Sequence, residues 1–144
     1  MQYLARILII TTLFFVSTAE AGNKSFGDYT IHYSVFNADF LSPQVAGAYG
    51  IKRSKKRAVI NISVTEKNGV ALPKPISAEI SGKALNIYQQ LKPMDLREIK
   101  EPGAFYYIAE FPISNEEIIN FDITAKLKGK TIGNVKFKQT FFVD

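Results

Sequence analysis

The stretch INFDITAKL, residues 119–127, decides the fold class. Ile119, Phe121, Ile123, Ala125 and Leu127 alternate without exception with Asn120, Asp122, Thr124 and Lys126. A strict period of two is what a β-strand produces, because successive side chains point to opposite faces. If the four larger apolar side chains are buried at about 1.5–3 kcal/mol each, that face alone contributes roughly 6–12 kcal/mol before chain entropy is counted.

Working outward, Lys128-Gly129-Lys130 turns the chain, and Val135, Phe137, Gln139, Phe141 and Val143 fall on one face of a last strand. Gly133-Asn134 marks a bulge or a longer hairpin loop. Upstream, Ala104 to Phe111 is dense in aromatics, as expected of a covered strand, and Glu101-Pro102-Gly103 is a turn. Met94 to Ile99 and Leu85 to Leu91 read as shorter strands separated by Pro93. Ile76, Ala78 and Ile80 alternate until Ser81-Gly82 interrupts. Pro73 and Pro75 forbid a central strand between them and predict an extended edge or linker. Ile60, Ile62 and Val64 alternate with Asn61 and Ser63, and Asn68-Gly69 is a turn signal. Tyr29, Ile31, Tyr33 and Val35 share one face of a further strand; Thr30, His32, Ser34 and Phe36 share the other.

The pattern amounts to seven or eight strands with no long helical periodicity and no internal repeat. It predicts an all-β fold, an antiparallel immunoglobulin-like β-sandwich without the cysteine pair or core tryptophan of antibody domains. A small barrel is the alternative.

One segment departs from the β pattern. Between Asn37 and Arg57, Ser42-Pro43 forms a helix start, with serine able to cap free N–H groups and proline suited to the first helical position. Gly50 is placed to end that helix in the left-handed conformation. A two-turn helix over 43–49 follows, too short to stand without packing, for which Val45 and Tyr49 are the expected contacts. It feeds a basic run, Lys52-Arg53-Ser54-Lys55-Lys56-Arg57. Connections this long inside compact domains are disproportionately functional.

The N-terminus reads as a targeting segment. Arg6 precedes an apolar run from Ile7 to Val16, and Ala19 and Ala21 supply a small-residue cleavage pattern. The run is short of the roughly 20 residues a spanning helix needs. The expected division is therefore a cleaved signal peptide, 1–21, and one soluble domain, 22–144. Arg6 and Glu20 would leave together, so the formal charge of the chain, +5, is retained.

The chain has no cysteine and one histidine. That removes thiol nucleophiles and iron–sulfur sites and argues against a catalytic zinc or copper centre; no cofactor and no metal are expected. His32 lies four residues from Asp28, roughly 13 Å along a strand, which is too far for a catalytic pair. A hydrogen-bonded structural histidine is the better reading. Glu98 and the pair Glu116-Glu117 read as surface charge. Lys128-Gly129-Lys130-Thr131 lacks the upstream glycine of a phosphate loop, whose place is taken by Thr124.

The segments Phe26-Gly27-Asp28-Tyr29, His32-Tyr33, Phe36-Asn37, Tyr49-Gly50, Arg53-Ser54-Lys55, Asn61-Ile62-Ser63-Val64, Arg97-Glu98-Ile99, Tyr106-Tyr107 and Phe121-Asp122 together resemble the exported proteobacterial family labelled domain of unknown function 4426. The resemblance covers essentially the whole expected mature chain and implies a Gram-negative periplasmic location. The family has no assigned activity, so it implies no catalytic or binding residues.

With no assembled catalytic motif, the expected function is a non-enzymatic binding or interaction module. A carrier of a small apolar or anionic ligand is the alternative, and a hydrolase a distant third. Expected partners are an envelope protein or an anionic surface; nucleic acid is a poor partner for an exported protein. Candidate binding residues are Tyr33, Tyr49, Lys52, Arg53, Lys55, Lys56 and Arg57. Tyr33, Tyr49 and Tyr107 are expected to line a pocket between the sheets or beneath the 37–57 connection. The basic run is better explained as a solvated loop and strand end that discourages edge pairing.

Overall fold

The computed structural model describes residues 20–143, so all but the last two residues of the expected signal peptide lie outside the described part. Nine strands form two antiparallel sheets: β1 (Glu20–Phe26), β2 (Tyr29–Asn37), β3 (Arg57–Asn68), β4 (Ala71–Ile76), β5 (Glu79–Asn86), β6 (Arg97–Glu101), β7 (Ala104–Pro112), β8 (Glu117–Leu127) and β9 (Lys130–Phe141). Six of them make one sheet in the order β1-β2-β3-β7-β6, with β4 pairing the far end of β3. The other sheet is β5-β8-β9. The fold is the all-β sandwich expected, with one helix, α1 (Pro43–Tyr49).

The alternation read at 119–127 builds the core. Ile119, Phe121, Ile123 and Ala125 of β8 are buried against Ile31 and Val35 of β2, Ala58, Ile60, Ile62 and Val64 of β3, and Ala109 and Phe111 of β7. Aromatic rings tie the sheets together. Phe111 meets Phe121 at 5.7 Å and Phe141 edge-on at 5.9 Å. Phe137 is sandwiched between Phe121 (4.9 Å) and Tyr33 (4.2 Å), both stacked. Offset and edge-to-face pairs of this kind add about 0.5–1.5 kcal/mol each beyond area burial.

Several details differ from the sequence pattern for identifiable reasons. Gly82 does not interrupt β5. A Cβ there would lie 2.5 Å from Cδ1 of Ile123, its neighbour on β8, and 2.9 Å from Cε of Met94, so glycine leaves the room these two side chains fill. Leu85 to Leu91 is not a strand. β5 ends at the buried Asn86, whose carboxamide oxygen accepts the N–H groups of Tyr88 and Gln90, each at 3.0 Å, and bends the chain into a loop. The two prolines do sit in a strand, but β4 pairs only β3 and so is an edge. Its ladder carries a bulge opposite Lys67, where Pro73 has no N–H to give. The bulge expected near Gly133 is present between Ala125 and Lys126 of the β8–β9 ladder. β1 is an addition. It begins at Glu20, two residues before the expected cleavage point, and Phe26 at its end packs over Gly133 of β9.

The chain crosses between sheets at Ser77-Ala78, and Tyr107 fixes that corner. Its hydroxyl oxygen accepts the Ala78 N–H at 2.7 Å and donates to Glu98 Oε2 at 2.8 Å. Burial pushes the Tyr107 phenol above its ordinary value, so it stays protonated as a donor. The Glu98 carboxyl is held below its ordinary value of 4.5, first by the Tyr107 hydroxyl and then by Ser77. A lowered folded-state pKa means that Glu98 contributes stability above its unfolded value and loses it as pH falls through the folded value. Tyr107→Phe is therefore expected to cost about 1–2 kcal/mol in urea unfolding at neutral pH, because the Ala78 N–H loses its acceptor. The cost should shrink when the pH is taken below the Glu98 transition. An unchanged urea midpoint would contradict this account of the corner.

Candidate functional site

The strand β3 is buried on both faces near its start, and this positions the site. Ala58, Ile60, Ile62 and Val64 face the other sheet, whereas Val59 points outward and is still 1% exposed. On that outer face Val59 stands beside Phe36 of β2, and Asn61 is opposite Ile108 of β7. Ile108, Ile51, Ala46 and Ala38 complete a second buried cluster, flanked by Phe36, Leu41, Tyr49, Ile99 and Tyr106. The cover is the 38–51 connection: a 3-10 turn at Ala38–Phe40, then α1, then Ile51.

Local chemistry makes this flap. Ser42 Oγ accepts the Val45 N–H at 3.2 Å, Pro43 opens α1, and Gly50 closes it at φ 66°. The Ile51 N–H then reaches back to the Ala46 carbonyl at 2.8 Å, a C-cap bond that seats Ile51 under the helix. The contact that anchors α1 is Ala46, at 2% exposure, and not Val45, which is 40% exposed at the rim. Three further ties hold the flap, one within it and two to β6. Arg53 donates from Nε to the Leu41 carbonyl at 2.7 Å and from its terminal nitrogen to the Asp39 carbonyl at 3.1 Å. Arg97 of β6 donates to the Tyr49 carbonyl, a cation at the C-terminal end of the helix. The Tyr49 hydroxyl donates to Glu101 Oε1, and that bond raises the Tyr49 pKa, with smaller help from burial.

Between flap and sheet runs a groove of about 240 Å³ lined by Phe36, Leu41, Val45, Tyr49, Ile51, Val59, Asn61, Tyr106 and Ile108. Asn61 is the one amide in this apolar lining. Its side-chain oxygen is buried and has no hydrogen-bond partner. Leaving a buried acceptor unpaired costs about 1–3 kcal/mol. A second buried oxygen without a partner, Oδ1 of Asp39, belongs to the 3-10 turn and not to the groove lining. Two wider depressions, of about 400 and 430 Å³, lie on the outer face of the β5-β8-β9 sheet. There Asn134 already bonds Asp122 Oδ1 and Thr124 Oγ1, at 2.6 and 3.0 Å, so that amide is already engaged.

The structure redistributes the sequence-derived candidates. Tyr49 lies in the groove as expected. Tyr33 does not, because alternation turns it inward onto Phe137, and the same parity places Tyr107 in the core and its neighbour Tyr106 in the groove. Arg53 is used inside the flap. Arg57 pairs with Glu110 at 3.5 Å, a half-exposed contact of small energetic value. Lys52, Lys55 and Lys56 are exposed, with no ion pair among the described residues. His32 Nε2 is 2.9 Å from Thr65 Oγ1 on the outer face, and is not part of the groove lining. Among the described residues, no group of three or more His, Asp or Glu side chains is placed to hold a metal ion. No helix among them is long and apolar enough to cross a membrane.

Residues 23–144 match the family described as Domain of unknown function (DUF4426). The chain belongs to the DUF4426 family. A crystal structure of a DUF4426 family protein from Pseudomonas aeruginosa PAO1 is similar, at 38% sequence identity and a TM-score of 0.73. The match covers 86% of this chain and 96% of that one. Among curated proteins none matches.

If Arg53 clamps the flap, Arg53→Met should speed hydrogen exchange at the Gly50 and Ile51 amides while global stability falls by less than about 1 kcal/mol. Arg53→Lys should not restore protection, since one ammonium cannot reproduce a planar fork reaching two carbonyls. Unchanged exchange in Arg53→Met would show that the clamp is idle.

Proposed function

We propose that this protein is a non-enzymatic periplasmic binding module whose flap groove accepts one apolar side chain, bearing a hydrogen-bond donor, from an envelope polypeptide. The observation that carries the reading is the unpaired Asn61 oxygen inside an otherwise apolar groove. A donor on the incoming group, such as an indole N–H or a phenol O–H, would satisfy it. Tyrosine and tryptophan are the side chains that most often dominate such anchoring pockets.

Two features favour an anchor over catalysis or a carried ligand. The lining contains no histidine, no carboxylate and no serine or cysteine, so it holds no nucleophile–base pair. Its volume, about 240 Å³, falls below the roughly 300–1,000 Å³ of clefts that enclose whole small molecules. The periplasmic setting rests on the N-terminal pattern, Arg6, the apolar run and Ala19-Glu20-Ala21.

Asn61→Leu separates function from folding. Removing the unpaired acceptor is expected to stabilise the free protein by about 1–2 kcal/mol while weakening partner capture. The measurement is photo-crosslinking in living cells with a benzophenone amino acid at the rim position Val45. The protein released by osmotic shock should begin at Gly22 and crosslink one polypeptide, and Asn61→Leu should abolish that band. Retention of Met1 in the cytosol would contradict export. A crosslink indifferent to Asn61→Leu would remove the groove from the account.

A further inference from the structure

The opposite end of β3 presents a different surface. β2 leaves β3 at Tyr29, opposite Glu66, while β3 runs on to Asn68 paired only with β4. Asn68 faces Ala71, and Gly69 turns the chain at φ 57°. Beyond the sandwich this hairpin exposes Val70 at 110% and Leu72 at 87% of their full areas. Aliphatic side chains displayed so fully on a projecting hairpin contribute nothing to the core and are free to meet a partner.

Lysines surround that tip. Lys67 and Lys74 flank it on the two strands, both exposed. The β8–β9 turn adds exposed Lys128 and Lys130 at the same end. That placement follows from two contacts: the Lys67 N–H bonds the Asp28 carbonyl in the β1–β2 turn, and Phe26 beside that turn packs on Gly133 of β9. The carboxylates at this end, Asp28, Glu66, Glu79 and, beside the β6–β7 turn, Glu101, stand at or behind the level of Lys67 in the strand register.

We propose that the β3–β4 hairpin is a membrane-contact finger: Val70 and Leu72 enter the interfacial layer of an anionic phospholipid bilayer while the lysines meet its phosphates. Lysine suits this task, because its flexible stem lies along apolar surface while its ammonium reaches a diffuse array of anions. Two small aliphatic side chains alone bind weakly, and a basic patch supplies the second signal that reversible membrane attachment requires. The flap groove begins near Val59, about ten residues up β3, roughly 30 Å from the tip at strand rise. This inference is independent of what the groove accepts.

The chain has no tryptophan, so Val70→Trp places a single reporter at the tip. Its emission should shift to the blue on mixing with phosphatidylglycerol-containing vesicles and stay unchanged with phosphatidylcholine alone. In co-sedimentation, Val70→Ser/Leu72→Ser should weaken binding by about tenfold or more. Raising salt from about 0.1 to about 1 M should weaken the parent in the same direction. Lys67→Gln/Lys74→Gln should weaken it severalfold, and Lys52→Gln/Lys55→Gln/Lys56→Gln at the flap end should leave it unchanged. All forms share one N-terminus, and equal urea midpoints confirm folding. The proposal is overturned if the serine variant sediments like the parent, or if the flap-end lysines carry the binding. It is equally overturned if the tip substitutions change only self-association in the ultracentrifuge.

Discussion

Val59 lies on the outer face of β3, away from the other sheet, yet it is 1% exposed. A strand of a sandwich normally needs cover on one face and tolerates water on the other. Here the outer face at Val59 and Ile108 is apolar as well, and its burial depends on the 38–51 flap. That requirement explains the flap's construction: a capped helix too short to stand alone, a glycine C-cap that turns Ile51 inward, and arginine bonds to backbone carbonyls. It also explains why a groove exists. A helix laid over a pleated face leaves a channel, and Asn61 stands in that channel where its neighbours are hydrocarbon.

Much of the fold was legible because period-two patterning is a local signal. The 119–127 strand, the edge character of the proline segment, and the Ser42-Pro43 and Gly50 caps all appear where the residues place them. What escaped depended on side-chain contacts that periodicity does not report. Gly82 looks like a break until the Ile123 and Met94 side chains that occupy its Cβ space are seen. Asn86 ends β5 through side-chain bonds to a loop that hydrophobicity alone presents as strand.

The candidate site was legible in place and not in membership. The long 37–57 connection supplies the flap, and Tyr49 lies in the groove beneath it. Strand parity turns Tyr33 and Tyr107 between the sheets, where they pack on the core, and gives the groove Tyr106 and Asn61 instead. Asn61 had a signal available: alternation puts it on the same outward face as the apolar Val59. The basic run illustrates the reverse case. Read as one cluster, it divides by geometry into Arg53, which builds the flap, Arg57, which pairs with Glu110, and three exposed lysines.

The central claim is that the groove between α1 and the sheet is a receptor for an apolar group with a donor, set by Asn61. A crystal structure of the protein soaked with indole, the side-chain fragment of tryptophan, tests it most directly. The account predicts indole between Tyr106 and Ile108, its N–H within hydrogen-bond distance of Asn61 Oδ1 and the flap in place. An unoccupied groove at saturating indole, or indole bound elsewhere with Asn61 still unpaired, would contradict it.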